Sequence, residues 1–241
     1  KVFLEIDESS LGPKATFANA QGANGQSTVK MELGSSKTKA IESNDLTLEL
    51  PGAVERYDDQ RSASGTPDGN FTTISDALSP ADDDDFISVG AGEYREFDST
   101  VSVSDNNVTI VGENQPTINV SSADPAIDVT GSEVEIQNLE IDAGDDANGI
   151  DVGKALTDFT IRDSVVRITD STDSARGIAS DTPLIVENIE FFGADRTNEG
   201  VAIKTTNQAD DLSLTDSSFE ELDVAMQLTA VDNATIANNE Y

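Results

Sequence analysis

The chain of 241 residues contains no cysteine, no histidine and no tryptophan. Without cysteine there are neither disulfides nor thiolate metal sites, so stability has to come from apolar packing and any bound cations. Without histidine the commonest general base is missing, and the Ser-His-Asp class of hydrolase is excluded with it. Positive charge is also scarce: 14 Lys and Arg stand against 47 Asp and Glu, a formal net charge of −33. No basic stripe exists to follow a phosphate backbone, which excludes nucleic acid as a partner. Phosphate-loop and zinc motifs are absent too. No apolar run is long enough to cross a bilayer and the start does not read as a signal peptide, so membrane insertion is not expected. The first residue is Lys1 rather than Met, which we read as the start of a mature or trimmed chain.

What the sequence does have is acid, distributed evenly rather than gathered in a tail. Asp and Glu alternate with regularly placed Val, Ile and Leu, which argues against disorder. A domain this acidic repels itself in dilute buffer, and few aromatics (5%) with many carboxylates suit a protein hydrated in molar salt. A halophilic source, archaeal or viral, is the expectation from charge.

A drifting repeat of about twenty-five residues organises the second half, and a period of that size marks a solenoid. Its units open at Val108-Thr-Ile110, Val134-Glu-Ile136, Phe159-Thr-Ile161, Leu184-Ile-Val186, Leu212-Ser-Leu214 and Ala234-Thr-Ile236. Two residues beyond each of the last five pairs stand Asn138, Asp163, Asn188, Asp216 and Asn238. Stacked coils would place these side chains in a structural ladder at one corner, each bridging its neighbours. A second series, Ile127, Ile150, Ile178, Val201 and Met226, is preceded three times by glycine and marks another strand entering from a tight bend. No stretch has helical period long enough for a βαβ crossover. The predicted class is all-β: a right-handed parallel β-helix of about six coils with a short N-terminal capping helix, behind a small antiparallel β domain. Right-handedness follows the general rule for parallel crossovers. Tyr241 falls inside a unit that has barely begun.

Thr72 to Leu78, with Ile74, Ala77 and Leu78 at helical spacing behind a capping Thr, reads as the cap of the first coil. The order "TTISDAL", an acidic turn, "ISVGAGEYRE" and "VTIVGEN" resembles the opening of right-handed parallel β-helix proteins of the pectin-lyase-like superfamily, including its NosD-type and pectinesterase-like branches. The resemblance covers about residues 65–241. It implies the fold and leaves activity open, since this architecture hosts lyases, hydrolases, esterases, tail spikes and non-enzymatic scaffolds.

Ahead of the repeat, Val2 to Ile6, Ala15 to Phe17, Thr28 to Leu33 and Leu46 to Leu50 alternate like antiparallel strands. The predicted division is residues 1–55 for this anchoring module, 56–69 for a polar linker and 70–241 for the β-helix. Packing of the first strands along the β-helix as one domain is the alternative.

The candidate chemistry is limited. The hydrolases of the superfamily that the chain resembles use a His-Gly and an Arg-x-Lys motif, and neither occurs in this sequence. Its lyases use calcium carboxylates with an Arg base, for which Arg162, Arg167 or Arg176 beside Asp163, Asp170, Asp173 or Asp181 are the candidates, against a simpler role in surface ion pairs. Asp82, Asp84, Asp142, Asp145 and Asp146 lie in oxygen-rich turns of the kind calcium prefers, although no calcium-loop motif is present; calcium is the only cofactor to consider. Four sequons place candidate glycosylation at Asn70, Asn107, Asn119 and Asn233.

The functional expectation is a non-enzymatic exterior protein that presents a stiff β-helix: a virion spike, decoration or receptor-binding protein of a haloarchaeal virus. A surface-layer-associated adhesin and a polysaccharide lyase or hydrolase are the alternatives. The expected partners are other structural subunits and cell-surface glycans, with a homotrimer among the expected assemblies, and the expected location is extracellular, at a virion or cell surface.

Overall fold

A computed structural model describes residues 15–17, 26–27, 31–33, 48–49, 52–57, 69–95, 100–120, 125–143, 148–153, 158–168, 175–193, 200–206 and 210–241. They fall into two compact units, Lys1–Leu50 and Pro51–Tyr241.

In the first unit, Ala15–Phe17 pairs antiparallel with Met31–Leu33, and Gln26–Ser27 pairs antiparallel with Leu48–Glu49. Three of these four strands fall within segments whose alternation predicted them. Gln26–Ser27 does not, because a two-residue strand carries no period. The predicted strand at Val2 to Ile6 lies outside the described residues.

The second unit is a parallel β-solenoid of about five turns. Each coil contributes one strand to each of three sheets, as in Phe159–Arg162, Val165–Ile168 and Arg176–Ser180. The coils stack in parallel register, so like residues form continuous columns. In the first sheet Ile87, Ile110, Ile136, Ile161, Val186, Leu214 and Ile236 succeed one another. In the second the column runs Tyr94, Ile118, Ile141, Val166, Phe191 and Phe219. Nearly all of these side chains are fully buried. A lone coil of this sequence could not bury its inward residues, whereas stacking gives each one an apolar neighbour on both sides and pairs the backbone between them.

The third sheet corrects one alignment. Val201 does not continue the series of Ile127, Ile150 and Ile178; Ile203 does, pairing with Ile178 on one side and Met226 on the other. Val201 is half-buried opposite Arg176 and Val224. The dipeptide Gly200-Val201 imitates Gly177-Ile178, but the small buried residue of that coil is Ala202. Smallness is required there because the coils approach closely. A Cβ on Gly177 would lie 2.6 Å from the carbonyl oxygen of Ala202.

The start of the solenoid is sealed. The helix Ile74–Leu78 is capped by Thr73, whose hydroxyl accepts from the Asp76 N–H at 3.0 Å, and buries Ile74, Ala77 and Leu78. Val54–Tyr57 runs antiparallel between Gly69–Phe71 and Phe86–Val89 and so closes the edge of the first sheet. Arg56, Tyr57 and Gly69, read from sequence as parts of a linker, are thus strand residues. Val54 and Tyr57 are the buried pair, and their three-residue spacing is that of a helix face, not the two-residue period of a strand. Tyr94 donates its buried hydroxyl to the carbonyls of Gly90 and Gly52, at 2.8 and 2.9 Å, which fastens this edge to the first coil.

Tyr57 gives the sealed end a pH dependence. Its hydroxyl donates to Glu55 at 2.7 Å, and that bond, followed by burial, raises the phenol above its ordinary value of 10.0. A folded-state pKa above the unfolded one contributes stability that is intact below pH 10 and is lost as pH rises towards the folded value. Stability is expected to fall above that pH, and Tyr57→Phe should show a shallower alkaline decline in chemical denaturation.

Candidate functional site

The ladder residues stand where the first sheet turns into the second. Asn138, Asp163, Asn188, Asp216 and Asn238 all have left-handed backbone, with φ between 51° and 58°. Asn and Asp tolerate this conformation better than other residues with a Cβ. The turn lets each N–H reach the next coil: Asn138 donates to Arg162 O, Asp163 to Glu187 O, Asn188 to Thr215 O and Asp216 to Ala237 O, at 3.0 to 3.2 Å. Asn138 also donates its side-chain amide to Gly112 O, and Asn188 donates its own to the Asp163 carboxylate, both at 2.7 Å. The column alternates amide and carboxylate, so no two acids are neighbours within it.

One residue beyond the corner, the column alternates again. Leu139 and Ile189 are buried there in two coils, and Ser164 and Ser217 in the coils that follow them. Each serine hydroxyl accepts from the Leu139 or Ile189 N–H at 3.1 Å and donates to the Arg162 or Thr215 carbonyl. Replacing Asn188 by alanine removes its bond to Asp163 and leaves a left-handed alanine. The expected cost is about 1–2 kcal/mol, with Asn188→Gly losing less, as measured by denaturant midpoint.

A second left-handed corner, not anticipated from sequence, precedes the first-sheet strands. It is formed by Asp84, Asn107, Glu133, Asp158, Asp211 and Asn233. Each sits immediately before a residue that leads a strand, and in all but Asp84, which precedes Asp85, the signal was a polar residue ahead of the leading apolar one. Pro183 holds that place in one coil, which blurs the pattern.

This second corner occupies the first of the acidic clusters. Asp83 accepts from the backbone and side-chain amides of Asn106 at 2.7 and 3.1 Å, Asp84 accepts from the Asn107 amide, and the Asp82 N–H donates to Asp85. Asp85 is buried and pairs with Arg56 at 2.9 Å. Asp82 itself is exposed, and Asp142 is half-buried on the outer face of the second sheet. Asp145 and Asp146 lie outside the described residues. Among the described residues no three acidic side chains converge to hold a metal ion.

The candidate bases are engaged in ion pairs along the coils. Arg162 meets Glu135 at 2.6 Å, and Arg167 meets Glu140 at 2.7 Å while lying 5.1 Å above the Phe192 ring. At their exposure such pairs contribute at most about 1 kcal/mol each. Arg176 is half-buried in the third sheet, opposite Asn148 and Val201. Asp170 and Asp173 lie outside the described residues. A notch on the ladder corner, lined by Asn188, Glu190, Asp216, Ser218, Asn238 and Glu240 among others, holds acids and amides but no cation.

The sequon asparagines differ in setting. Asn70 and Asn233 are exposed, whereas Asn107 and Asn119 are half-buried.

The comparisons with protein-family models, with curated proteins and with solved structures find no match to this chain. The class that the fold and corners define is the parallel β-solenoid.

Proposed function

We propose that the chain is a non-enzymatic exterior protein of the pectin-lyase-like architecture, made by an extreme halophile or its virus, that holds a stiff solenoid out as a spike or decoration and attaches it to cell-surface glycans. The observation that carries this reading is the engagement of the chemistry-bearing side chains in the scaffold. Arg162 and Arg167 are tied to the carboxylates of the preceding coil, and Asp83, Asp84 and Asp85 each accept a structural hydrogen bond. What the coils offer outwardly is rigidity and acid. The net charge of −33 supports a working environment of high salt, where screening relieves the repulsion between acidic faces.

The test is binding of the labelled chain to intact haloarchaeal cells in molar salt, before and after enzymatic removal of surface glycans. Saturable binding that disappears with the glycans is the expected result. Absence of binding would overturn the attachment reading, and sugar fragments released into the supernatant would overturn the non-enzymatic one.

A further inference from the structure

The sequence contains two Asn-Gly dipeptides, Asn24-Gly25 and Asn148-Gly149. The first lies outside the described residues; the second opens the third-sheet strand Asn148–Val152. In this dipeptide an asparagine side chain reacts most readily with its own backbone, because glycine has no Cβ to crowd the following amide nitrogen. The Gly149 nitrogen attacks Cγ of Asn148, a five-membered imide closes, and ammonia leaves with the side-chain nitrogen and the Gly149 amide hydrogen. Water then opens the ring. Cleavage between the nitrogen and the former side-chain carbon gives aspartate, whereas cleavage at the backbone carbonyl gives isoaspartate, whose main chain is longer by one carbon.

The coil cannot escape this chemistry by changing its glycine. Gly149 is buried, and a Cβ on it would lie 2.6 Å from the carbonyl oxygen of Gly177 in the next coil. In the two coils that follow, the small buried residues Gly177 and Ala202 are preceded by Arg176 and Val201, neither of which can form the imide.

Folding holds the reaction back. Asn148 lies in a parallel strand, where ψ is near +115°, and its carbonyl accepts from the Ala126 N–H at 2.9 Å. Closing the imide turns ψ of Asn148 out of the extended region, so that bond has to break first. The two products then differ in what the coil will take back. An aspartate at 148 stands in register with Arg176, an opposite-charge pair across strands. Isoaspartate adds a main-chain atom to a strand whose register is matched on both sides, and displaces Ile150 and Val152 from their columns.

We infer that Asn148-Gly149 is a spontaneous deamidation site which the closed coil protects, and that its isoaspartate product bars the coil from closing again, so that the site records chains that have opened.

The purified chain is to be aged in mildly alkaline buffer with molar salt, folded and in urea, and both dipeptides followed by peptide mass mapping with isoaspartate detection. In urea Asn24 and Asn148 should be modified at similar rates. In the folded chain Asn148 should react at least about tenfold more slowly than in urea, since reaction waits on local opening. When the urea-aged chain is refolded, the folded fraction should carry aspartate at 148 and the fraction left unfolded should be enriched in isoaspartate. Asn148→Gln, whose imide would need a six-membered ring, should stay unmodified in urea over the same period, and Asn148→Asp should fold with a Tm close to that of the parent. Equal rates at Asn148 in folded and unfolded chain would overturn the protection. Isoaspartate at 148 in the folded fraction at its starting proportion, or an Asn148→Asp chain that fails to fold, would overturn the distinction between the products. The rates are read on the parent chain, so they do not depend on either variant folding.

Discussion

Phe191→Ala is expected to lower stability by about 3–5 kcal/mol, as truncation of a fully enclosed aromatic does. Phe191 is fully buried in the second-sheet column, with its ring stacked at 5.0 Å on Phe219, whose other face carries Tyr241 at 5.3 Å. Removing it opens a cavity between two coils that the register fixes from both sides, so collapse is poor. It also takes the support from the terminal aromatic stack. For a unit of this size the loss corresponds to a Tm roughly 6–20 °C lower, checked by thermal unfolding in molar salt. Because coils interact chiefly with their neighbours, hydrogen exchange should show protection lost first in the coils from Phe191 onward, and retained around Ile110 and Ile136. Phe191→Leu, which keeps most of the volume, should cost much less.

The second large effect lies at the sealed end. Arg56→Met leaves the Asp85 carboxylate buried with its ion-pair partner removed, and breaking one side of such a pair costs about 3–5 kcal/mol. The pair joins Val54–Tyr57 to the turn that begins the first coil, at 2.9 Å and with the Asp85 side chain fully buried. Adding Asp85→Asn removes the uncompensated charge yet keeps an acceptor for the Asp82 N–H, which donates to it at 3.1 Å. The double variant should therefore recover at least half of the loss. A double-mutant cycle by guanidinium denaturation measures the coupling, and additive losses would mean that the ion pair does not join these segments.

The solenoid was legible because its determinants are local and repeated. An apolar-x-apolar pair followed two residues later by Asn or Asp encodes a strand, its register and a left-handed turn in five residues, and Ile136-Gln-Asn138 or Ile161-Arg-Asp163 can be read without knowing what they touch. Three features were hidden for physical reasons. The corner before each strand uses Asp, Glu and Asn in a chain where acids are everywhere, so Glu133 or Asp158 stands out only once its φ is known. The third sheet buries consecutive residues, such as Gly149 and Ile150, and this breaks the two-residue period, so Val201 passed for Ile203. The strand Val54–Tyr57 buries Val54 and Tyr57 at a spacing of three and is fixed by the Arg56–Asp85 pair, so no two-residue alternation marks it in the sequence. Of the candidate site, what the sequence marks is the left-handed corner, because that backbone conformation selects Asn and Asp at 138, 163, 188, 216 and 238. The pairing of Arg162 and Arg167 with Glu135 and Glu140 is not marked, because it depends on which coil lies above which.

The alternation of amide and carboxylate down the ladder corner has a bearing on how such a molecule can change length. Removing one coil between Asp163 and Asp216 would set two carboxylates against each other at strand spacing, about 4.8 Å. It would also bring Ser164 and Ser217 together and break the match between each hydroxyl and an apolar neighbour's N–H. Removing two coils restores both alternations. The unit of growth or shortening that this corner tolerates is a pair of coils, so related rods built on the same rule should differ in reach by even steps.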